Sequence, residues 1–307
     1  MDHSAATPFV ALVTGASSGI GEATARRLAR EPGARLVLVA RREAMLRALA
    51  DDLGGATVVA VDLTDEDAPA RVAEAVEQEH GALHLLVNNA GARWAGRVGD
   101  AGWENIERHM RVNFEAPVRL TEALLPLLRR TAGAGGDGGG AGGAGGGAGG
   151  DGGAGRPAGA GGAGGAGRPV SIVNVASTAS RVSRANAGAY SASKFAMAGW
   201  SDALYLEEQA NGVHVGLVLP GFVATEGFPQ AELVARRATR WAVTRPEVVA
   251  EAILEAGPGG KPERYVPRYY WLAAAARVML PSVVRRATGG GGLMTPATRA
   301  SEGGGGE

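Results

Sequence analysis

Tyr190 and Lys194 stand four residues apart, and Ser177 lies 13 positions upstream of the tyrosine. The stretch from Ala187 to Gln209 reads as helix, so Tyr190 and Lys194 share one face about a turn apart. A free phenol has a pKa of about 10 and is a poor base near neutrality. A neighbouring ammonium favours the phenolate and can lower that value by roughly 1–3 units, which would let Tyr190 donate or accept a proton at working pH. Ser177 follows the apolar run Val170–Ala176, read as a strand, and open α/β sheets carry their reactive groups at the C-terminal ends of strands. Its hydroxyl would hold a substrate oxygen against the phenol. By itself the tyrosine–lysine spacing is short and common, and it fits an ordinary helix tyrosine beside a solvated lysine.

The elements that would position such a set begin at the N-terminus. Phe9–Val13 is a β-branched-rich apolar run that leads into Thr14-Gly15-Ala16-Ser17-Ser18-Gly19-Ile20-Gly21 and then a helix-forming stretch, Glu22–Arg30. Strand, glycine turn and helix form the first unit of a dinucleotide-binding fold, in which backbone N–H groups of the turn and the positive helix end receive a pyrophosphate. Arg35–Ala40 reads as the second strand, and Arg41-Arg42 follows it, with no acid before Glu43. An acid at this point bonds the ribose 2′-hydroxyl of NAD, whereas arginine accommodates the 2′-phosphate of NADP. Arg41 therefore favours NADP(H) over NAD(H), against the alternative of two solvated arginines. Thr57–Val61, ending in Asp62-Leu63, and Leu83–Val87, opening onto Asn88-Asn89-Ala90-Gly91, read as the third and fourth strands. A long helical region from Gly102 to Arg130 contains Asn113.

Taken together, Thr14-Gly15-x-x-x-Gly19-x-Gly21, Asn88-Asn89-Ala90-Gly91, Ser177 and Tyr190-x-x-x-Lys194, in that order, resemble the short-chain dehydrogenase/reductase family from about Phe9 to Pro267. The resemblance implies a single-domain, Rossmann-type doubly wound α/β sheet of about seven mostly parallel strands, and reversible hydride transfer between a nicotinamide cofactor and a carbonyl/alcohol pair. It implies that Tyr190 is the acid/base, that Lys194 lowers its pKa and holds the nicotinamide ribose, and that Ser177 orients the substrate oxygen. Asn113 would support a proton relay, or merely bend its helix. Along the cofactor it places Gly15, Ser17, Ser18, Gly19, Ile20 and Gly21; Asp62, beside Leu63, at the adenine amino group, or else capping a helix read over Asp65–Glu79; and Asn88, Ala90 and Gly91, with Asn89 tying strands together. Pro220-Gly221-x-x-x-Thr225, with Val223 inside it, follows a sixth strand over Val213–Leu219 and would meet the nicotinamide carboxamide, or form only a turn and cap. The family's habit implies a homodimer or homotetramer. A non-catalytic NADP(H) sensor, or a lyase or epimerase on the same fold, is the alternative function.

Composition narrows the field. The 307 residues carry 31 basic and 31 acidic side chains, so charge gives no case for a nucleic-acid partner. There is no cysteine, hence no disulfide or thiolate metal site, and the five histidines are scattered, so no metal is expected. The first residues lack a secretory pattern, which suggests a cytoplasmic protein. Residues 1–8 read as a flexible start and 289–307 as a disordered tail. Within the domain at 9–267, the 35 residues of 133–167 are glycine and alanine relieved only by Asp137, Asp151, Arg156 and Pro157. That insert is expected to be disordered and to enter the fifth strand at the end remote from the chemistry. Glu226–Arg240 reads as a lid over the substrate, and Phe222, Phe228, Leu233 and Trp241 suggest an apolar carbonyl/alcohol substrate or simply core contacts. Pro246 opens a helix to Ala256, and Arg264–Val266 reads as a last strand. The apolar extension 268–288, flanked by Arg268, Arg277, Arg285 and Arg286, suits packing on the domain or a second subunit, with contact to a membrane surface over 268–286, or the lining of a hydrophobic substrate site, the lesser alternatives.

Overall fold

Strands that are apolar at nearly every position belong in a sheet covered on both faces, and this is what the computed structural model forms. It describes residues 7–97, 99–134, 168–225 and 243–289. In chain order the elements are β1 (Phe9–Thr14), α1 (Gly19–Leu28), β2 (Ala34–Ala40), α2 (Glu43–Asp52), β3 (Thr57–Ala60), α3 (Ala68–His80), β4 (Leu85–Asn88), α4 (Gly102–Met110) and α5 (Ala116–Ala134). They continue with β5 (Val170–Val175), α6 (Gly188–Glu208), β6 (Val213–Pro220), β7 (Phe222–Val223), β8 (Val243–Thr244), α7 (Pro246–Ala256), β9 (Glu263–Val266), α8 (Tyr270–Met279) and α9 (Pro281–Gly289).

Seven strands pair in the order β3-β2-β1-β4-β5-β6-β9, every pair parallel. The chain builds outward from β1 to β3 and then returns to β4 on the other side of β1. That reversal opens a crevice at the C-terminal ends of β1 and β4, where doubly wound sheets bind their ligands. Side chains alternate between two cores. Phe9, Ala11 and Val13 of β1 pack with α1, α2 and α7, and Val10 and Leu12 pack with α3, α5 and α6.

Most strand and helix ends shift by one to three residues from the sequence expectation, and three differences stand out. The helix expected over Gly102–Arg130 is two helices joined by a π turn, Arg111–Glu115, in which Ala116 N–H reaches back to Arg111 O. Asn113 sits in this widened turn, a feature frequent at functional sites. Second, Gly133 and Ala134, assigned to the insert, complete α5, and 135–167 lies outside the described residues. Third, α3 starts at Ala68 rather than near Asp65, because Asp65 N–H turns back to Asp62 O at 3.0 Å. The proposed lid also lies outside the described residues, as do Phe228, Leu233 and Trp241.

Close packing of α7 on the sheet makes one glycine a steric requirement. A Cβ on Gly216 of β6 would stand 2.1 Å from Ala256 O, whereas one on Gly199, exposed in α6, would meet nothing. Gly216→Ala is expected to destabilise by about 1–3 kcal/mol, and Gly199→Ala to stabilise by about 0.5–1 kcal/mol. Thermal melts of the two variants should move in opposite directions.

Candidate active site

At the switch point β1 and β4 are tied by one hydroxyl. Thr14 Oγ1 donates to Val87 O (3.1 Å) and accepts from Asn89 N and Ala90 N (both 2.9 Å), while Asn89 Nδ2 donates to Thr14 O at 2.9 Å. Asn89 thus ties strands together, as the sequence suggested. The first turn of α1 then folds tightly against the loop, since a Cβ on Gly21 would stand 2.1 Å from Gly15 O. Gly15 and Gly19 both adopt positive φ, at 65° and 59°, a region open to glycine at little cost. A Cβ on Gly19 would lie 3.0 Å from Thr225 Cγ2, so the threonine that follows β7 sits over the loop containing Ser17, Ser18 and Ile20.

Of the two arginines after β2, Arg42 approaches this loop and Arg41 turns to Asp62. Arg42 donates from Nε to Ser17 Oγ and from Nη2 to Ser17 O, each at 3.2 Å. Arg41, 77% exposed, stands 3.5 Å from Asp62 Oδ2. Asp62 accepts from Thr64 N and Thr64 Oγ1 at 3.0 and 2.8 Å, and these bonds and Arg41 hold its carboxyl below the usual range although burial opposes them. The aspartate therefore closes a local turn rather than capping α3. Leu63 next to it is buried in the core.

Ser177, Tyr190 and Lys194 gather at the ends of β4, β5 and β6. Ser177, extended just beyond β5, accepts at Oγ from Ala179 N (3.1 Å), approaches Pro220 O at 3.4 Å and hydrogen-bonds the Tyr190 phenol. Burial pushes that phenol above its ordinary value, while Ser177 and the positive charges of Arg93 and Arg184 pull it down. The Lys194 ammonium is turned under the helix, donates to Val175 O at 2.9 Å, and is driven down to about 8 by burial alone. A Cβ on Gly91 would stand 3.4 Å from Lys194 Nζ and 3.0 Å from Asn113 Oδ1. Asn113 is itself held by three hydrogen bonds to two residues, accepting from Ala92 N (2.8 Å) and donating to Ala92 O (2.9 Å) and Ser193 Oγ (3.1 Å).

Asn88 behaves differently from its neighbours Ala90 and Gly91. Its Nδ2 donates to Thr121 Oγ1 (2.9 Å) and Asn174 Oδ1 (2.8 Å), and Asn174 Nδ2 donates to Ser201 Oγ (2.9 Å). This buried chain joins β4, β5, α5 and α6. Asn88 Oδ1 is enclosed and finds no hydrogen-bond partner among the described residues. Gly221 carries a different constraint, because Tyr270 of α8 lies where its Cβ would be, at 2.0 Å. Pro220 ends β6, and Val223 pairs through β7 with Thr244 of β8.

Sequence reasoning missed Arg93, Arg184, His109 and Tyr270. Arg184 lies over the Phe222 ring at 4.5 Å, and burial lowers the pKa of both Arg93 and Arg184. His109 is buried; its Nε2 accepts from Trp94 N (3.1 Å), so the proton is on Nδ1, which donates to Asn105 O (2.6 Å). Its ring meets Tyr190 edge-on at 6.2 Å. Arg93 follows β4 and Arg184 precedes α6, loops without a motif, and only their position after strand ends pointed to the site.

The residues fit a dinucleotide. A glycine turn with no room for side chains opens onto a helix N-terminus, the Arg42 guanidinium bonds it while Arg41 stands at Asp62, and a buried ammonium lies at the end of β5, an arrangement suited to a pyrophosphate and ribose hydroxyls.

Comparison with known proteins agrees with that fit. The family profile described as short chain dehydrogenase matches residues 9–137 and 165–233. Over 239 residues the chain is 32% identical to the oxidoreductase UcpA of Salmonella typhimurium, covering 75% of this chain and 74% of that protein. Among solved structures, an alcohol dehydrogenase of the archaeon Thermococcus sibiricus complexed with 5-hydroxy-NADP superposes with a TM-score of 0.65 at 23% identity, over 84% of this chain and 96% of that one. A 3-ketoacyl-(acyl-carrier-protein) reductase of Brucella melitensis complexed with NADH gives 0.65 at 25% identity, over 82% and 92%.

Proposed function

This chain belongs to the short-chain dehydrogenase/reductase family, and on that premise we propose that it interconverts a carbonyl and an alcohol using NADP(H), with Tyr190 as the acid in reduction and the base in oxidation. One observation carries the reading: the Tyr190 phenol, bonded to Ser177 and facing two guanidinium charges, lies at the C-terminal edge of the same sheet whose switch point bears the glycine turn. When bound, the nicotinamide supplies or takes up the hydride. Ser177 Oγ holds the substrate oxygen against the phenol. Tyr190 Oη gives that oxygen its proton in reduction and recovers it in oxidation. Lys194 holds the ribose, and Asn113, fixed in the π turn, keeps the Gly91–Ala92 backbone and α6 in register beneath the proton path. The cofactor class rests on the NADP derivative and the NADH carried by the two structural relatives.

The preference for NADP(H) rests on Arg41 and Arg42. A 2′-phosphate between them would gain charge-assisted hydrogen bonds at about 1.5–3 kcal/mol each, so exchanging both for neutral side chains should lower kcat/KM for NADPH roughly 10²–10⁴-fold and leave NADH nearly unchanged. The test is NADPH and NADH oxidation by the purified protein over a panel of aldehydes, ketones, steroids and quinones. Turnover that favours NADH in the unaltered chain would overturn the preference. Tight binding of NADPH with no turnover on any carbonyl would overturn the proposed reaction.

A further inference from the structure

The C-terminal helices carry an apolar face that stays exposed among the described residues. Neither α8 nor α9 buries a single residue among those described, and the pair meets the sheet chiefly through β9. Trp271, Leu272, Val278, Met279, Leu280 and Val283 are 53–77% exposed. Within α8 the first four recur at i, i+1, i+7 and i+8, so they form one stripe. Monomeric soluble proteins rarely leave such a contiguous patch uncovered.

The charge around the patch selects its occupant. Between Glu263 and Glu302 the chain has no acid, while Arg268, Arg277, Arg285 and Arg286 lie within or beside the two helices. A second copy docked by a twofold axis would bring these like charges against each other. A bilayer bearing acidic headgroups supplies both the apolar layer and the counter-charge, and an aromatic such as Trp271 suits its boundary. No helix among the described residues is long and apolar enough to cross a membrane, so the element would lie on the surface. We propose that α8 and α9 dock this protein on an anionic lipid surface. Because Tyr270 at the start of α8 packs on Gly221 at the end of β6, docking brings the active-site edge close to that surface, where an apolar carbonyl substrate would be concentrated.

The test is flotation of the full chain with vesicles of phosphatidylcholine alone and of phosphatidylcholine mixed with phosphatidylglycerol. Binding is expected to the mixed vesicles, to weaken with added salt, and to be lost in Val278→Glu/Met279→Glu. Arg285→Gln/Arg286→Gln should lower the partition coefficient about thirtyfold, since each arginine near an anionic surface contributes about a factor of five. Turnover of a water-soluble carbonyl or, failing turnover, the thermal midpoint should be unchanged in both variants, which shows that they fold. Absence of flotation, or equal binding to the two vesicle types, would overturn the proposal. So would sedimentation showing a dimer that Val278→Glu/Met279→Glu dissociates in a chain that does not float.

Discussion

Tyr190→Phe is expected to lower kcat by about 10²–10⁴, the usual contribution of a positioned acid or base, and to leave the melting temperature and dinucleotide affinity nearly unchanged. The substitution removes one oxygen. The ring keeps its edge-on contact with His109, and the lost bond to Ser177 is worth about 1 kcal/mol of stability. Steady-state kinetics together with dinucleotide titration separate this outcome from general damage. The pH dependence supplies a second readout. Burial places the phenol above its ordinary value, so in the protein without ligand it is protonated through the neutral range. Reduction, which uses the protonated form, should stay flat with pH there, whereas oxidation should rise toward alkaline pH. In Tyr190→Phe that alkaline rise should vanish. Retention of more than about a tenth of the activity would remove Tyr190 from the proton path.

Lys194→Met should inactivate the enzyme and stabilise the protein free of ligand. Lys194 is 5% exposed, and its pKa of about 8 lies below the ordinary lysine value of 10.5. The native state therefore binds this proton less tightly than the unfolded chain. Its penalty is complete below pH 8 and fades as pH rises from 8 to 10.5, so the native chain gains stability across that window. The shift corresponds to a penalty on the order of 3 kcal/mol, reduced by the bond to Val175 O, worth about 1 kcal/mol. An unbranched thioether of similar reach escapes the penalty, giving a net gain on the order of 2 kcal/mol at neutral pH. Denaturant melts at pH 7 and pH 10 should show the variant ahead at the lower pH and the difference narrowing at the higher. A variant less stable at pH 7 would mean that the lysine is held by more than burial opposes.

Much of this site was legible because its chemistry needs fixed spacing. The turn Gly15-x-x-x-Gly19-x-Gly21 leaves no room for side chains, and Tyr190 and Lys194 keep one helix face in any register of α6. Strand positions followed from β-branched runs that a parallel sheet buries on both sides. The π turn at Asn113 was not legible, since one extra residue in a helical turn leaves no periodic trace within a window of this length. Nor were Arg93 and Arg184, which depend on where two loops return over the crevice. Nor was the main-chain partner of the Lys194 ammonium, since an i,i+4 spacing predicts proximity on a helix and not the hydrogen bond that the side chain makes to Val175 O. The exposure of α8 and α9 was likewise a tertiary property, because a helix of the same composition packed inside the domain reads identically.

The chain of amides from Thr121 through Asn88 and Asn174 to Ser201 also constrains how such a protein can drift. Exchanging either asparagine alone for a leucine strands its partner's amide in the interior at about 1–3 kcal/mol, whereas exchanging both together can be nearly neutral. Each single step thus crosses a fitness valley that the double step avoids. Positions 88 and 174 should consequently be epistatic, with substitutions at one tolerated only in lineages that already differ at the other.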